Sequence, residues 1–380
     1  LPIDHGLRTK LNEKVPPLRN SNGHYLPTLD GWRAVSITAV VLCHDSVHRF
    51  GPLSTQWLYD HGHHGVDVFF AISGILICSR LMSEEEHKGK IHIDRFYLRR
   101  AFRILPPAVF YLACLVVLHL AIALPVGYPE IASSLLFLRN YTFSFQHLQH
   151  IYPAYTSHFW SLAVEEHFYL LLPGLLVFCP KRWRVTSLLL IASAVAVHRA
   201  LLGAGTQSQF HTDTKLDALL IPAAIAVLLR RSEFRAWLTS WLRYWPVVGV
   251  SLLAIISFGR PGVLEPFAVA WLMPFVILGT MLRPRGLVAR FLELAPLRYI
   301  GRLSYSLYLW QQLFFVSHYG SVSSGMSMVQ HWPLSLALTI GMAMLSYYCV
   351  EQPCIRIGHR TASRRLGPFP DRPDNVNPVS

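Results

Sequence analysis

Charge is scarce in this sequence. Only 14% of its 380 residues are Asp, Glu, Lys or Arg, and 52% are hydrophobic. A soluble domain carries about 25% charged residues, so water cannot be the solvent for most of this surface. The six cysteines (Cys43, Cys78, Cys114, Cys179, Cys349 and Cys354) include no CxxC pair and lie in or beside apolar runs. That excludes a disulfide framework and the common zinc spacings, and leaves them as small buried hydrophobes. No internal repeat is visible. The opening LPIDHGLRTK has neither a short apolar core nor a small-residue cleavage site, so no cleaved leader is expected. Acidic groups are the rarest charges, 21 against 34 Lys and Arg, giving a net charge of +13. Such an excess is common in nucleic-acid binders, but here its distribution excludes that partner.

What is present is a series of apolar runs near the roughly 20 residues that cross a bilayer. Ten are expected to span: 31–50, 64–83, 103–124, 159–179, 184–203, 214–230, 243–259, 264–282, 297–318 and 332–353. FGRPG, from Phe258 to Gly262, reads as the tight turn between the seventh and eighth, and the segment from Glu130 to Asn140 as interfacial. With the N-terminus inside, 29 of the Lys and Arg residues fall on inner segments and five on outer ones. By the positive-inside rule this predicts both tails in the cytoplasm, and it accounts for the basic balance without nucleic acid. The expected fold class is therefore an all-α polytopic membrane protein of about ten transmembrane helices. A cytoplasmic tail (1–28), a membrane domain (29–356) and a disordered Pro-rich tail (357–380) complete the expected layout. Asn140-Tyr141-Thr142 matches a glycosylation sequon on the outer side.

Ionisable groups within a span are functional candidates by default. The stretch RAVSITAVVLCHD, Arg33 to Asp45, places His44 eleven residues beyond Arg33, about 16 Å along a helix. That puts Arg33 at the inner end of the first span and His44 in its outer half. Asp67 in the second span and Glu165 in the fourth are expected near the level of His44, with Glu166, Asp217, Trp160 and Ser161 also toward the outer face. Asp45 points about 100° away from His44 and is a poor partner for it. At the inner end lie Arg33, Arg99, Arg100, Arg103 and Arg302; Arg100 and Arg103 share a helix face. Guanidinium groups hold phosphates by forked hydrogen bonds, and a His–carboxylate pair offers a base. Two such poles suit a ligand with an anionic head and a long arm ending in a reactive group, the shape of a coenzyme A thioester. Each feature has an ordinary alternative: arginines as topology anchors, a packed histidine, serines and tyrosines as interhelical contacts.

The ordered motifs resemble the acyltransferase-3 family of integral membrane acyltransferases. They are TLDGWRAVSITAVVLCH, GVDVFFAISGILI, FYLRRAFRILPP, FWSLAVEEHFYLLLP, KLDALLIPAAIA, YIGRLSYSLYLWQ and SYYCVEQPCIR, covering about residues 28–356. Gln311 stands where many members have histidine, and His167 replaces a frequent glutamine. The resemblance implies transfer of an acyl group, often acetyl, from acyl-CoA to a hydroxyl of an envelope glycan or other acceptor. It points to His44 and Glu165 as functional positions; these are the expected catalytic residues, with Glu165 expected to orient His44. Substrate contacts are expected at Arg33, Arg100, Arg103, Asp67, Trp160, Ser161 and Arg302. Direct attack by the hydroxyl and transient acylation of His44 both stay open, and Arg302 is expected to pair with Glu351. No soluble hydrolase-like domain follows the last span in these 380 residues, so transfer is expected within the membrane domain or through a partner. No metal is expected. The implied setting is a bacterial inner membrane, with acyl-CoA, acceptor and lipids as partners and self-association left open. The competing reading is a proton-coupled secondary transporter, which would use the same buried carboxylates and histidine.

Overall fold

The structure is a computed structural model. It describes residues 26–44, 56–142, 155–203, 207–258, 264–283, 286–315 and 325–366. Asp45, Arg49 and most of the expected FGRPG turn lie outside these residues.

Among the described residues all regular structure is helical. In chain order the helices are α1 (Pro27–His44), α2 (Gly65–Lys88), α3 (Ile93–Ile122), α4 (Tyr128–Leu135), α5 (Phe159–Phe178), α6 (Arg184–Leu202) and α7 (Asp217–Leu228). They continue with α8 (Ser232–Trp241), α9 (Trp245–Phe258), α10 (Leu264–Leu282), α11 (Leu287–Leu292), α12 (Ala295–Phe314), α13 (Leu334–Ser346) and α14 (Gln352–Leu366). A short helix and a 3₁₀ turn, 56–64, lead into α2. α2 stops where Gly89 turns left-handed at φ +74°, a conformation open to glycine. A π-helical turn, Tyr347–Glu351, joins α13 to α14. Such turns interrupt regular helix where a side chain must be re-aimed.

A helix lies at each of the ten expected spans. Seven helical segments are long and apolar enough to cross a membrane, and large apolar side chains such as Leu120, Phe178 and Leu201 face outward. The chain is a multi-pass, all-α membrane protein. The first, sixth and ninth expected spans fall outside the seven for physical reasons. α7 has only 12 residues. α1 and α12 carry Asp30, Arg33, Arg298, Arg302, Gln311 and Gln312, of which Asp30, Gln311 and Gln312 are buried by protein contacts in place of lipid. α14 runs on to Leu366, past the tail boundary expected at 356.

Five helices surround the candidate site. α1 and α12 lie against each other so closely that a Cβ on Gly301 would strike the Asp30 carbonyl. Replacing Gly301 with leucine is expected to force them apart and destabilise the protein by about 1–3 kcal/mol, read as a lower midpoint of thermal unfolding in detergent. α2 descends beside α1: Gly65 sits on Ser36, whose Oγ donates to the Gly65 carbonyl at 2.7 Å. α3 and α5 complete the ring.

Several polar groups have structural partners. Asp217 accepts both Arg199 Nη groups, at 2.9 and 2.8 Å, in a buried pair. Replacing Arg199 with leucine strands a buried carboxylate and is expected to cost about 3–5 kcal/mol. Adding Asp217→Leu should recover most of that loss in the same melting experiment. Asn140 is fully buried and donates to Thr212 at 2.9 Å, so the expected sequon is not accessible in the fold.

Candidate active site

The Arg33 end of the bundle gathers four guanidinium groups. Arg33 from α1, Arg80 from α2, and Arg100 and Arg103 from α3 are close enough to repel one another. Two other basic residues at this end are neutralised: Arg184 forks onto Glu85 at 2.5 and 3.0 Å, and Arg230 meets Glu86 at 2.7 Å. Among the described residues, none of the four forms an ion pair with a carboxylate. Glu351, re-aimed by the π turn, supplies the nearest compensating field, toward Arg103 and Arg33. Unpaired like charges held together cost energy unless an anion joins them. Arg80 had no place among the sequence candidates; its position opposite the RxxR pair emerges only from packing.

Arg302 is exposed and stacks 5.9 Å from the Tyr299 ring centre. Glu351 instead accepts from Ser306 at 2.8 Å. The expected Arg302–Glu351 pair does not form, because the two residues leave their helices toward different neighbours.

At the opposite end His44 is half-buried. Its Nδ1–H donates to the Val40 carbonyl at 2.8 Å, one turn back on its own helix. A carbonyl can only accept, so the contact assigns the proton to Nδ1 and the basic lone pair to Nε2. The residue near the start of α5 that feels the charge of His44 is His158, the residue just before the helix. Glu165 sits seven residues further along, about 10 Å. Its Oε1 receives hydrogen bonds from Ser73 of α2 and from Tyr169. The expected hydrogen bond between Glu165 and His44 is therefore absent, and the Val40 carbonyl orients the imidazole instead.

His158, Ser161, Glu165 and Tyr169 fall at i, i+3, i+7 and i+11, one face of α5. This stripe connects the two ends. Arg100 lies 4.2 Å over the Tyr169 ring. Tyr169 bonds Glu165, and Glu165 is within electrostatic reach of Tyr308 on α12. Tyr308 pairs with Ser161 at 2.5 Å and donates to the His158 carbonyl at 3.0 Å. Glu166, on the next face, senses Glu165 and Arg100. Trp160 packs edgewise on Phe70 and against Phe210.

The turn before α5 is clamped from below and above. Tyr111 donates to the Tyr155 carbonyl at 2.7 Å, and Arg139 Nε donates to Thr156 at 3.0 Å. Burial raises the Glu130 carboxyl above its usual range, although Arg139 and Thr156 oppose the shift. Several polar atoms held by this arrangement have no partner among the described residues. Both ring nitrogens of His158, the indole N–H of Trp310 and both amide atoms of Gln311 are buried and unpaired. Each such group costs about 1–3 kcal/mol in an empty site.

Asp67 lies elsewhere. It is buried between His64 Nδ1 at 2.8 Å and Lys215 Nζ at 2.9 Å, while His64 Nε2 meets Glu265 at 2.9 Å. The structure thus places Asp67 in an ionic network joining α2 to the turn before α7 and to α10, with no hydrogen bond or ion pair to Glu165 or His44 among the described residues. His63, His64 and Glu265 bring one potential metal-ligand atom each within 4.8 Å of one another.

The site is thus an all-α membrane bundle with an arginine cluster at one end and a polar stripe leading to an imidazole at the other. Residues 26–350 match the model of the acyltransferase domain, and the chain belongs to that family. It is 30% identical to the O-acetyltransferase OatA of Staphylococcus aureus (strain NCTC 8325) over 88% of this chain and 58% of the relative. It is 29% identical to a Bacillus subtilis (strain 168) protein, provisionally named peptidoglycan O-acetyltransferase YrhL, over 92% of this chain and 58% of that one. The chain thus spans somewhat over half the length of these relatives. No solved structure matches it.

Proposed function

We propose that this protein moves an acetyl group from acetyl-CoA, bound at the arginine end, to a glycan hydroxyl reached from the His44 end. The arginine end would face the cytoplasm of a bacterium, across its inner membrane, as the distribution of Lys and Arg supports. One observation carries the reading: four guanidiniums with no carboxylate partner among the described residues are linked through the bundle toward His44 by the α5 stripe. Arg33, Arg80, Arg100 and Arg103 would grip the phosphates of the donor. The arm would follow Tyr169, Glu165 and Ser161 toward His44, a span of about 16 Å along α5.

His44 Nε2 would take the proton of the acceptor hydroxyl as its oxygen attacks the thioester carbon. The carbon–sulfur bond would break, and the proton would pass to the departing thiolate. Glu165, held by Ser73 and Tyr169, would line the arm's path with fixed negative charge and favour the imidazolium from a distance. The relatives' names make peptidoglycan the first acceptor to test. In proteoliposomes with the arginine end accessible, label from acetyl-CoA should appear as ester on added peptidoglycan fragments. Substrate accumulation inside vesicles with no ester formed would instead support a transporter and overturn this reading.

A further inference from the structure

We infer that His158 is a second catalytic imidazole, which donates a hydrogen bond to the thioester carbonyl oxygen as that oxygen becomes negative during attack. The inference rests on the acyl-transfer reading above and adds to it a residue with its own task.

His158 is 2% exposed, and neither ring nitrogen has a hydrogen-bond partner among the described residues. Its ring is nonetheless firmly placed. Tyr111, Phe159 and Tyr308 surround it at ring-centre distances of 5.4, 4.9 and 5.5 Å. Its carbonyl accepts from Tyr308 at 3.0 Å and from Ser161 at 3.2 Å. A histidine kept only for packing would use at least one nitrogen, since buried polar groups are nearly always paired. A rigid imidazole with both nitrogens unspent is built to meet a group that arrives. The neighbours say where that group comes from. His44 is the charged or chargeable residue nearest in effect, and Ser161 and Tyr308 end the stripe along which the donor arm would run. Trp310, whose indole N–H is also unpaired among the described residues, packs on the same Tyr111 ring with ring centres 5.3 Å apart.

The chemistry suits a neutral imidazole. In that form one nitrogen donates and the other accepts. The donor would face the carbonyl oxygen, whose charge grows as the acceptor oxygen bonds to carbon and subsides as the carbon–sulfur bond breaks. His158 gives up no proton in this step; the hydroxyl proton passes through His44 to the thiolate. Pre-placed donors in a water-poor site act most strongly on charge that exists only in the transition state. His44 and His158 thereby divide the work, one as base and one as oxyanion donor. Gln311 then leaves no gap at the position where many family members carry a histidine.

The test compares His158→Leu and His158→Asn in the full chain, each measured for thermal midpoint in detergent and for acetyl transfer from acetyl-CoA. Leucine removes two buried unpaired nitrogens, so the midpoint should hold or rise, while kcat falls about 10²–10³-fold, the usual loss of one oxyanion donor. Donor KM should change little. Asparagine retains an N–H donor but not the reach of the imidazole, and should recover about tenfold of the lost rate without reaching the wild-type value. A folded His158→Leu protein with wild-type kcat would overturn the inference. If leucine prevents folding, asparagine decides: a folded asparagine variant with wild-type kcat and donor KM leaves histidine no special part and overturns it, whereas a kcat lowered at unchanged donor KM upholds it. Wild-type protein that forms no ester would defeat the parent reading instead, so the two failures are distinguishable.

Discussion

Replacing His44 with alanine is expected to lower acetyl transfer about 10²–10⁴-fold, the usual worth of a positioned general base. That corresponds to about 3–5.5 kcal/mol of barrier. The Nδ1 hydrogen bond closes one turn back on α1, so truncation leaves the helix its own backbone ladder. The midpoint of thermal unfolding should shift far less than the rate. Donor affinity should stay near the wild-type value, because the phosphate grip lies about 16 Å away along the same helix. The measurement is single-turnover ester formation with donor and acceptor both saturating. Near-normal turnover in a folded His44→Ala protein would remove the imidazole from the reaction.

Replacing Arg100 and Arg103 together with alanine should act at the other pole. Hydrogen bonds to charged groups are worth about 1.5–3 kcal/mol each, so the double variant should weaken donor binding by at least about 10²-fold. The rate at saturating donor should change much less. Stability should move in the opposite direction from function. The four guanidiniums repel one another and have no carboxylate pair among the described residues, so removing two relieves strain in the donor-free protein. An unchanged or raised melting midpoint with a lost donor affinity is the signature of charges assembled for a ligand. A strongly destabilised variant that still binds CoA would mark the arginines as structural.

The poles of the site were legible in the chain because helix geometry is one-dimensional. Eleven residues separate Arg33 from His44 whatever surrounds them, and Arg100 and Arg103 share a face by spacing alone. The general position of the apolar runs followed from the same regularity, and the basic residues beside them gave a sidedness. What packing decides was not legible. Arg80 joins the arginine cluster only because α2 descends beside α1, with Gly65 admitting the close approach to Ser36. Asp67 looked level with His44 by depth, yet Lys215 and His64 draw it into another network. Glu165 was the conspicuous acid of α5, and its partners proved to be Ser73 and Tyr169. His158 sits one residue before α5, and a lone histidine there is indistinguishable from a loop residue until Tyr111 and Tyr308 enclose it. A signal did exist: polar groups at 158, 161, 165 and 169 repeat with the helical period, although the apolar residues between them obscure it.

The most direct test of a two-ended site is a comparison of two donors. Acetyl-pantetheine carries the thioester and the arm but lacks the phosphates of acetyl-CoA. Transfer from each should be measured in the wild type, in Arg100→Ala/Arg103→Ala and in His44→Ala. The arginine variant is expected to lose about 10²-fold in kcat/KM with acetyl-CoA and almost nothing with acetyl-pantetheine. His44→Ala should lose the same large factor with both donors. Equal losses from the arginine variant with both donors would show that these residues do not bind phosphate, and the account would fail.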